Sequence, residues 1–307
     1  MSYVLRTFGL SKCYKGTWAL SKVDMNIEKG DIYGFVGENG SGKTTIIRLI
    51  TGLISPNEGS FELFGADNNS PSIYDARRRV GAIVESPSIY LNMSARDNLK
   101  MQCDILGIND EEKIKRVLFE VGLFDMYANK KNASNFSLGM RQRLGIAMAL
   151  IGEPEFIILD EPMNGLDPAG IVEIRELILR LNKDKGITFL ISSHILTELA
   201  LVATKYGIIS KGKMVVEISA KDLAEQCRQS TYLEVDNPIK LFETLVQTMD
   251  EKNLVLEPKG VKVYGNIHLN WLFAKALDLG LEIQNVVTTK GSIEDYYLSH
   301  VGGNHNA

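Results

Sequence analysis

The stretch Gly37-Glu38-Asn39-Gly40-Ser41-Gly42-Lys43-Thr44, followed by Thr45, limits what this chain can fold into more than any other segment. It lies between an apolar run, Ile32 to Val36, and a run of helical character, Thr45 to Ile50. Strand, glycine-rich turn and helix in that order make a cradle for a polyphosphate. The glycines let successive backbone N–H groups turn inward with no Cβ in the way. The helix behind the turn aims the positive end of its dipole at the same anion. Lys43 has the reach for the β- and γ-phosphates, and the Thr44 hydroxyl is a ligand for Mg²⁺.

With 307 residues the chain has room for two domains of about 150 residues each. A hydrophobic share of 45% and a charged share of 23% are those of an ordinary globular protein with a sizeable core. The net charge of −4 gives no electrostatic reason to bind nucleic acid. Cys13, Cys103 and Cys227 lie far apart, which argues against a zinc site or a disulfide framework and fits a reducing compartment. Met1 to Leu10 lacks the apolar core of a signal peptide, and no stretch approaches the ~18 apolar residues of a membrane span. If the chain energises transport, another chain must supply the channel.

Strands alternate with helices over the first 217 residues, which predicts an α/β fold with a parallel sheet covered on both faces. Buried strands are expected at Ile32 to Val36, Gly81 to Val84, Phe156 to Leu159 and Thr188 to Ile191, and a final pair at Tyr206 to Ser210 and Lys213 to Glu217. A basic helix is expected at Asp75 to Val80, and others at Ile171 to Leu181 and Ile195 to Leu201. Residues from about 90 to 150 read as a helical subdomain, with a helix starting at Ser137 that carries Leu144, Ala147, Met148 and Ile151 as an apolar stripe. A linker is placed at 218–230. Beyond it, 231–307 reads strand, helix, strand, strand, helix, strand, helix, a small α+β domain of ferredoxin-like order. The tail Gly302 to Ala307 is expected to fray.

Asp160-Glu161 directly follows an apolar strand, and the carboxyl ends of strands are where open α/β sheets bind ligands. Asp160 is a candidate to hold Mg²⁺ through water, and Glu161 to accept a hydrogen bond from a water attacking a γ-phosphate. Ser137-Leu138-Gly139-Met140-Arg141-Gln142 opens a helix with Ser137 as N-cap, so that helix too presents free N–H groups to an anion. His194 follows Ser192-Ser193 at the end of a third apolar strand, where a neutral imidazole can hydrogen-bond a γ-phosphate oxygen.

Together these residues resemble the nucleotide-binding subunit of an ATP-binding-cassette transporter, over nearly all of residues 3–217 and in that family's order. The resemblance implies a P-loop NTPase fold, ATP and Mg²⁺ as cofactors, and hydrolysis of ATP. It implies Gly37 to Thr45 as the Walker A loop, Phe156 to Glu161 as Walker B with the catalytic carboxylate, and Ser137 to Gln142 as the signature motif. It further implies Asn164-Gly165-Leu166-Asp167 as the D-loop, His194 as the switch histidine, and Tyr14 as the aromatic that stacks on adenine. Locally, Tyr14 reads equally as a strand residue packing the core. The family also implies a pair: the signature of one copy closes over ATP held by the P-loop of another copy or of a related ATPase subunit.

Three positions depart from the family pattern. The signature is Ser-Leu-Gly-Met-Arg rather than Ser-Gly-Gly-Gln, Met163 stands where Thr is common, and Glu85 stands where Gln is usual. Glutamine supplies one oxygen to Mg²⁺ and donates from its amide, whereas glutamate is an acceptor only and carries charge. Glu85 is therefore expected as a metal ligand with Thr44 and Asp160. The glutamate, the run Phe136 to Ala147, Ile191 to Leu196 and Ser292 to Tyr297 are similar to ATPases that export bacitracin and lantibiotics. That subgroup implies a peripheral location at the inner face of a bacterial cell membrane, a separate permease docked on the segment from about Tyr90 to Tyr127, and a role in antibiotic resistance or immunity. Other cargo (a drug, a lipid or an ion), a repair or translation ATPase and a non-hydrolysing nucleotide sensor remain alternatives; Glu161 and His194 speak against the sensor.

Overall fold

The computed structural model describes residues 2–265, 267–289, 291 and 293–301. These form two compact units, 1–220 and 221–307.

Two long strands, β1 (Tyr3–Tyr14) and β2 (Thr17–Glu28), open the first unit as an antiparallel hairpin whose register shifts several times. With β4 (Glu58–Leu63) and the short β5 (Ala66–Asp67) they make a four-stranded sheet in the order β2-β1-β4-β5. The second sheet contains β3 (Ile32–Val36), β6 (Val80–Ile83), β7 (Phe156–Asp160), β8 (Thr188–Ser193), β9 (Lys205–Ser210) and β10 (Lys213–Ser219), in the order β10-β9-β3-β8-β7-β6. All its neighbouring pairs are parallel except β9–β10. Every residue of β3, β7 and β8 is buried, which is why these strands read as unbroken apolar runs rather than alternating ones.

Helix α1 (Lys43–Thr51) contributes Ile46, Ile47, Leu49 and Ile50 to one core shared by both sheets, with Leu5, Met25, Ile27 and Phe61 from the first and Tyr33, Phe35, Phe156 and Leu190 from the second. Burying side chains of this size contributes roughly 1.5–3 kcal/mol each. A polar clasp joins the sheets as well. Glu217 accepts from the Tyr33 hydroxyl at 2.8 Å and from the Asn26 backbone N–H at 2.8 Å. Burial, reinforced by the Glu217 charge, pushes the Tyr33 phenol well above its ordinary pKa, so it remains a donor.

The helical segment consists of α3 (Ala95–Leu106), α4 (Glu111–Glu120) and α5 (Leu138–Leu150), capped by Ser94, Asp110 and Ser137. The fully buried Asn98 accepts from the Tyr90 N–H and donates to the carbonyls of Tyr90 and Ser94, which pins the loop ahead of α3. Asp167 caps α6 (Pro168–Lys185), whose proline occupies the first turn, where no N–H is missed.

Three expectations shift. The basic helix is α2 (Ile73–Arg78), and Val80 already belongs to β6 because it pairs with Phe156 of β7. The helix expected over 195–201 is only α7 (Leu196–Leu199). The linker at 218–230 is occupied by the end of β10, helix α8 (Ala220–Gln226) and the first residue of β11.

The second unit contains β11 (Ser230–Val235), α9 (Pro238–Val246), β12 (Leu254–Glu257), β13 (Gly260–Tyr264), α10 (Leu269–Asp278), β14 (Ile283–Thr289) and α11 (Ile293–Val301). Its antiparallel sheet runs β12-β13-β11-β14, the ferredoxin-like order. Leu241, Leu245, Leu272 and Ala276 cover Leu233, Val235, Val261 and Val263. Ser292, expected to start the last helix, and the tail Gly302 to Ala307 lie outside the described residues.

Candidate nucleotide site

Strands β3, β8 and β7 are neighbours, and their carboxyl ends are in register. Val36 pairs with Ser193, and Asp160 pairs with Ser192. The glycine-rich loop, the Asp160-Glu161 pair and Ser192 to His194 therefore emerge side by side at the ligand-binding edge of the sheet.

Close packing fixes the loop. A methyl on Gly37 would stand 2.4 Å from the Ile209 carbonyl oxygen, and one on Gly42, where φ is +113°, would stand 2.8 Å from the Ala19 carbonyl oxygen. Neither backbone oxygen can move aside cheaply, so both positions require glycine. Asn39, Gly40, Gly42, Lys43, Thr44 and Thr45 line one hollow with Ala19 and Glu161. Within the loop, the Ser41 N–H donates to the Glu38 carbonyl at 3.1 Å, and the Ser41 side chain is buried.

Lys43 is 5% exposed, and its ammonium donates to the carbonyls of Gly37 at 2.6 Å and Glu38 at 3.2 Å. It also lies 3.4 Å from Glu161 Oε1. Thr44 Oγ1 donates to Asp160 Oδ2 at 2.9 Å, and Ser192 Oγ donates to Asp160 Oδ1 at 2.5 Å. Both oxygens of this buried carboxylate are thereby oriented, as a buried charge requires.

Glu161 has φ +50°, a left-handed conformation costly for a residue with a Cβ. Its N–H donates to the Ser192 carbonyl at 3.2 Å and to Ser192 Oγ at 2.9 Å, which holds that conformation. Glu161 Oε2 lies 2.7 Å from His194 Nδ1. A carboxylate can only accept, so Nδ1–H donates and Nε2 is left as the free ring atom. Glu161 Oε1 accepts no hydrogen bond among the described residues, and Lys43 is its neighbour. Such an oxygen is chemically suited to take a proton from a water.

The structure brings Gly37 to Thr45, Asp160, Glu161 and His194 together. Ser137, Leu138, Gly139, Met140 and Asp167 line a different part of the same unit and take no part in this hollow. Ser137 Oγ accepts from the Met140 N–H at 3.2 Å, Leu138 is 48% exposed, and a methyl on Gly139 would touch nothing nearer than 3.9 Å. Asp167 caps its own helix through the Gly170 N–H at 3.2 Å. Tyr14 ends β1, is 40% exposed and has the Lys12 ammonium 5.5 Å from its ring centre, so it does not pack the core.

Glu85 stands apart from Thr44 and Asp160 in its pairing. Its carboxylate is paired with Arg48 of α1, not with Thr44 or Asp160. Among the described residues no three His, Cys, Asp or Glu side chains gather to hold a metal. The oxygen pair Thr44–Asp160 nonetheless suits Mg²⁺, a hard cation that takes few protein ligands and completes its shell with water and phosphate oxygens.

Three residues at the site carried no role in the sequence. Ser192 reads there only as part of a strand end, and Arg48, four positions after Thr44, is not singled out. Glu198 lies near His194 and Glu161: burial raises its carboxyl pKa, the His194 charge opposes this, and Glu161 adds to it.

The family described as "ABC transporter" matches residues 20–164. The bacitracin transport ATP-binding protein BcrA of Bacillus licheniformis is 40% identical over 308 residues, covering 99% of each chain. The lantibiotic transport ATP-binding protein SrtF of Streptococcus pyogenes is 44% identical over 214 residues, 70% of this chain and 90% of that protein. Among solved structures, cbiO1 from Clostridium perfringens, part of the ABC transporter complex cbiONQ, superposes with a TM-score of 0.65 at 26% identity, over 74% of this chain and 92% of that one.

Proposed function

The chain belongs to the ABC transporter family and is an ATP-binding, ATP-hydrolysing protein, and from that premise we propose that it powers the export of a peptide antibiotic of bacitracin or lantibiotic type. The observation that carries this reading is the likeness to BcrA, which spans 99% of both chains and so includes the second unit as well as the nucleotide site. In this reading the protein acts on a separate membrane permease and pairs with a second copy or a related ATPase subunit. It sits at the inner face of a bacterial membrane, and no helix among the described residues is long and apolar enough to cross one. Residues 1–217 form the ATP-binding domain with its helical subdomain at about 90–150, and 231–307 form the accessory domain.

The Walker loop binds the phosphates through its inward N–H groups and Lys43, while Tyr14 offers its exposed ring to the adenine. Thr44 and Asp160 would hold Mg²⁺, which would offset the negative charge of the phosphates when bound. Glu161 orients and deprotonates the attacking water through Oε1, its other oxygen being fixed by His194. With its Nδ1–H on Glu161, His194 donates to a γ-phosphate oxygen only when Nε2 also carries a proton. Ser137 to Met140 and Asp167 serve the nucleotide of the opposing copy.

The test is survival. Cells expressing this protein with its permease are expected to withstand bacitracin or a lantibiotic, and Lys43→Ala is expected to abolish that protection. Protection unchanged by Lys43→Ala would refute the export reading.

A further inference from the structure

Glu85 and Glu161 are set out alike. Ile83 pairs with Leu159 across the parallel strands β6 and β7, so the chain after each strand leaves the sheet at the same edge. Both glutamates have positive φ, +63° and +50°. The cation that meets Glu85 comes from the helix that carries the phosphate loop. Thr44 and Arg48 are four residues apart on α1 and so share a face. From that face Thr44 reaches Asp160 at 2.9 Å and Arg48 reaches Glu85. The start of α1 is held by the loop. Its end is held by Arg48's own carbonyl, which accepts from the Leu53 N–H at 2.9 Å.

We propose that Arg48 is a positioning residue for Glu85: it neutralises this carboxylate and draws it back from the phosphates, so that ATP can bind before a divalent cation is present. This deepens the ATPase reading and rests on it. Asp160, Glu161 and Glu85 end on adjoining strands, and a nucleotide adds further negative charge. Lys43 offsets Glu161, and among the described residues Arg48 is the cation paired with Glu85. A glutamine at this position would need none, because it is neutral and can donate. The pair is partly exposed, Arg48 at 40% and Glu85 at 59% of the side chain, so its effect is modest.

The experiment is calorimetric titration of the full chain with ATP, first in EDTA and then in excess Mg²⁺. The variants are Arg48→Met, Arg48→Lys, Glu85→Gln and the double variant Arg48→Met/Glu85→Gln. Arg48→Met is expected to weaken ATP binding in EDTA by about two- to fivefold and by less in Mg²⁺. Arg48→Lys keeps the charge and is expected to bind nearly as the parent does. Removing Glu85 removes the need for Arg48, so the double variant is expected to match Glu85→Gln in EDTA. Arg48→Met that binds as the parent does in EDTA overturns the proposal. A double variant as weak as Arg48→Met also overturns it, since Arg48 would then act on the nucleotide or the fold and not through Glu85. A parent protein that binds no ATP overturns the ATPase reading with it, whereas normal ATP binding lost in Lys43→Ala, with flat Arg48 results, overturns the proposal alone.

Discussion

The ends of strands β7 and β6 make a natural comparison. Each is followed by a glutamate in the left-handed region, and each glutamate meets a cation from α1. Their surroundings differ. Glu161 is 20% exposed, has its backbone clamped twice by Ser192 and its carboxylate bounded by Lys43 and His194. Glu85 is 59% exposed and has Arg48. A fixed carboxylate in a sheltered pocket can be aimed at a reacting water without reorganising, which is what general-base chemistry needs. An exposed one is adjustable, which suits a group that must respond to metal or partner. The same residue type just past the ends of adjoining strands is thus assigned different work by burial and by its number of tethers.

Replacing each glutamate by glutamine is the sharpest way to break this contrast. Glu161→Gln removes the base and leaves the shape, so turnover is expected to fall on the order of 10²–10⁴-fold with ATP binding retained. With hydrolysis blocked, ATP and Mg²⁺ are also expected to shift this variant toward a dimer in analytical ultracentrifugation. Glu85→Gln leaves the clamped site intact and is expected to change turnover far less. Steady-state ATPase assays decide the matter, and equal losses in the two variants would erase the distinction drawn from burial.

Ser192→Ala probes the clamp itself. It deletes the 2.5 Å bond to Asp160 and the 2.9 Å bond from the Glu161 N–H while adding no bulk. A buried partner lost in this way costs about 1–3 kcal/mol. The expected signs are a lower melting temperature and a drop in kcat of roughly tenfold or more, with KM for ATP little changed. Unaltered kcat would mean that the positive φ of Glu161 holds without Ser192.

That serine also marks how far the sequence is legible. The glycine loop, Asp160-Glu161 and the buried strands could be read because their signals are local: fixed spacing, or carboxylates directly after an apolar run. The ferredoxin-like order of 231–307 was legible for the same reason, since each strand and helix keeps its own period. Ser192 was not, because its partners are 31 and 32 residues away and only the β7–β8 register brings them together. The expectation of Glu85 as a ligand of Mg²⁺ rests on family position, while its pairing with Arg48 is a contact of the fold. The competing partner, Arg48, lies 37 residues earlier on a helix face that nothing in the linear pattern points toward that loop. Helix α7 ends at Leu199, yet the chain past it keeps helix-like spacing, the N–H groups of Val202 and Ala203 donating to the Leu199 carbonyl at 3.0 and 2.8 Å. Sequence alone cannot separate such turns from a longer helix.

Tyr14 tests a contact outside the two strand ends. The residue is 40% exposed, with the Lys12 ammonium 5.5 Å from its ring centre. Tyr14→Ala is expected to raise KM for ATP at the lower end of base-stacking energies, about 1 kcal/mol or roughly fivefold, with kcat kept. Phe at this position is expected to restore KM, because stacking needs the ring and not the hydroxyl.

Salt gives the smallest effect and separates the two glutamates without touching Glu161. Screening acts on exposed pairs and spares sheltered ones: the Debye length falls from about 10 Å at 0.1 M to about 3 Å at 1 M ionic strength. The Arg48–Glu85 pair lies in the screened class, and the Lys43–Glu161–His194 cluster, with Lys43 only 5% exposed, does not. The difference in apparent Mg²⁺ affinity between the parent and Glu85→Gln, measured from ATPase activity against free Mg²⁺, is therefore expected to shrink toward zero as KCl rises. The difference in kcat between the parent and Glu161→Gln is expected to stay constant over the same range. If the Glu85 difference instead holds at high salt, its carboxylate touches the metal directly in the working state, and the expectation of Glu85 as a ligand alongside Thr44 and Asp160 returns.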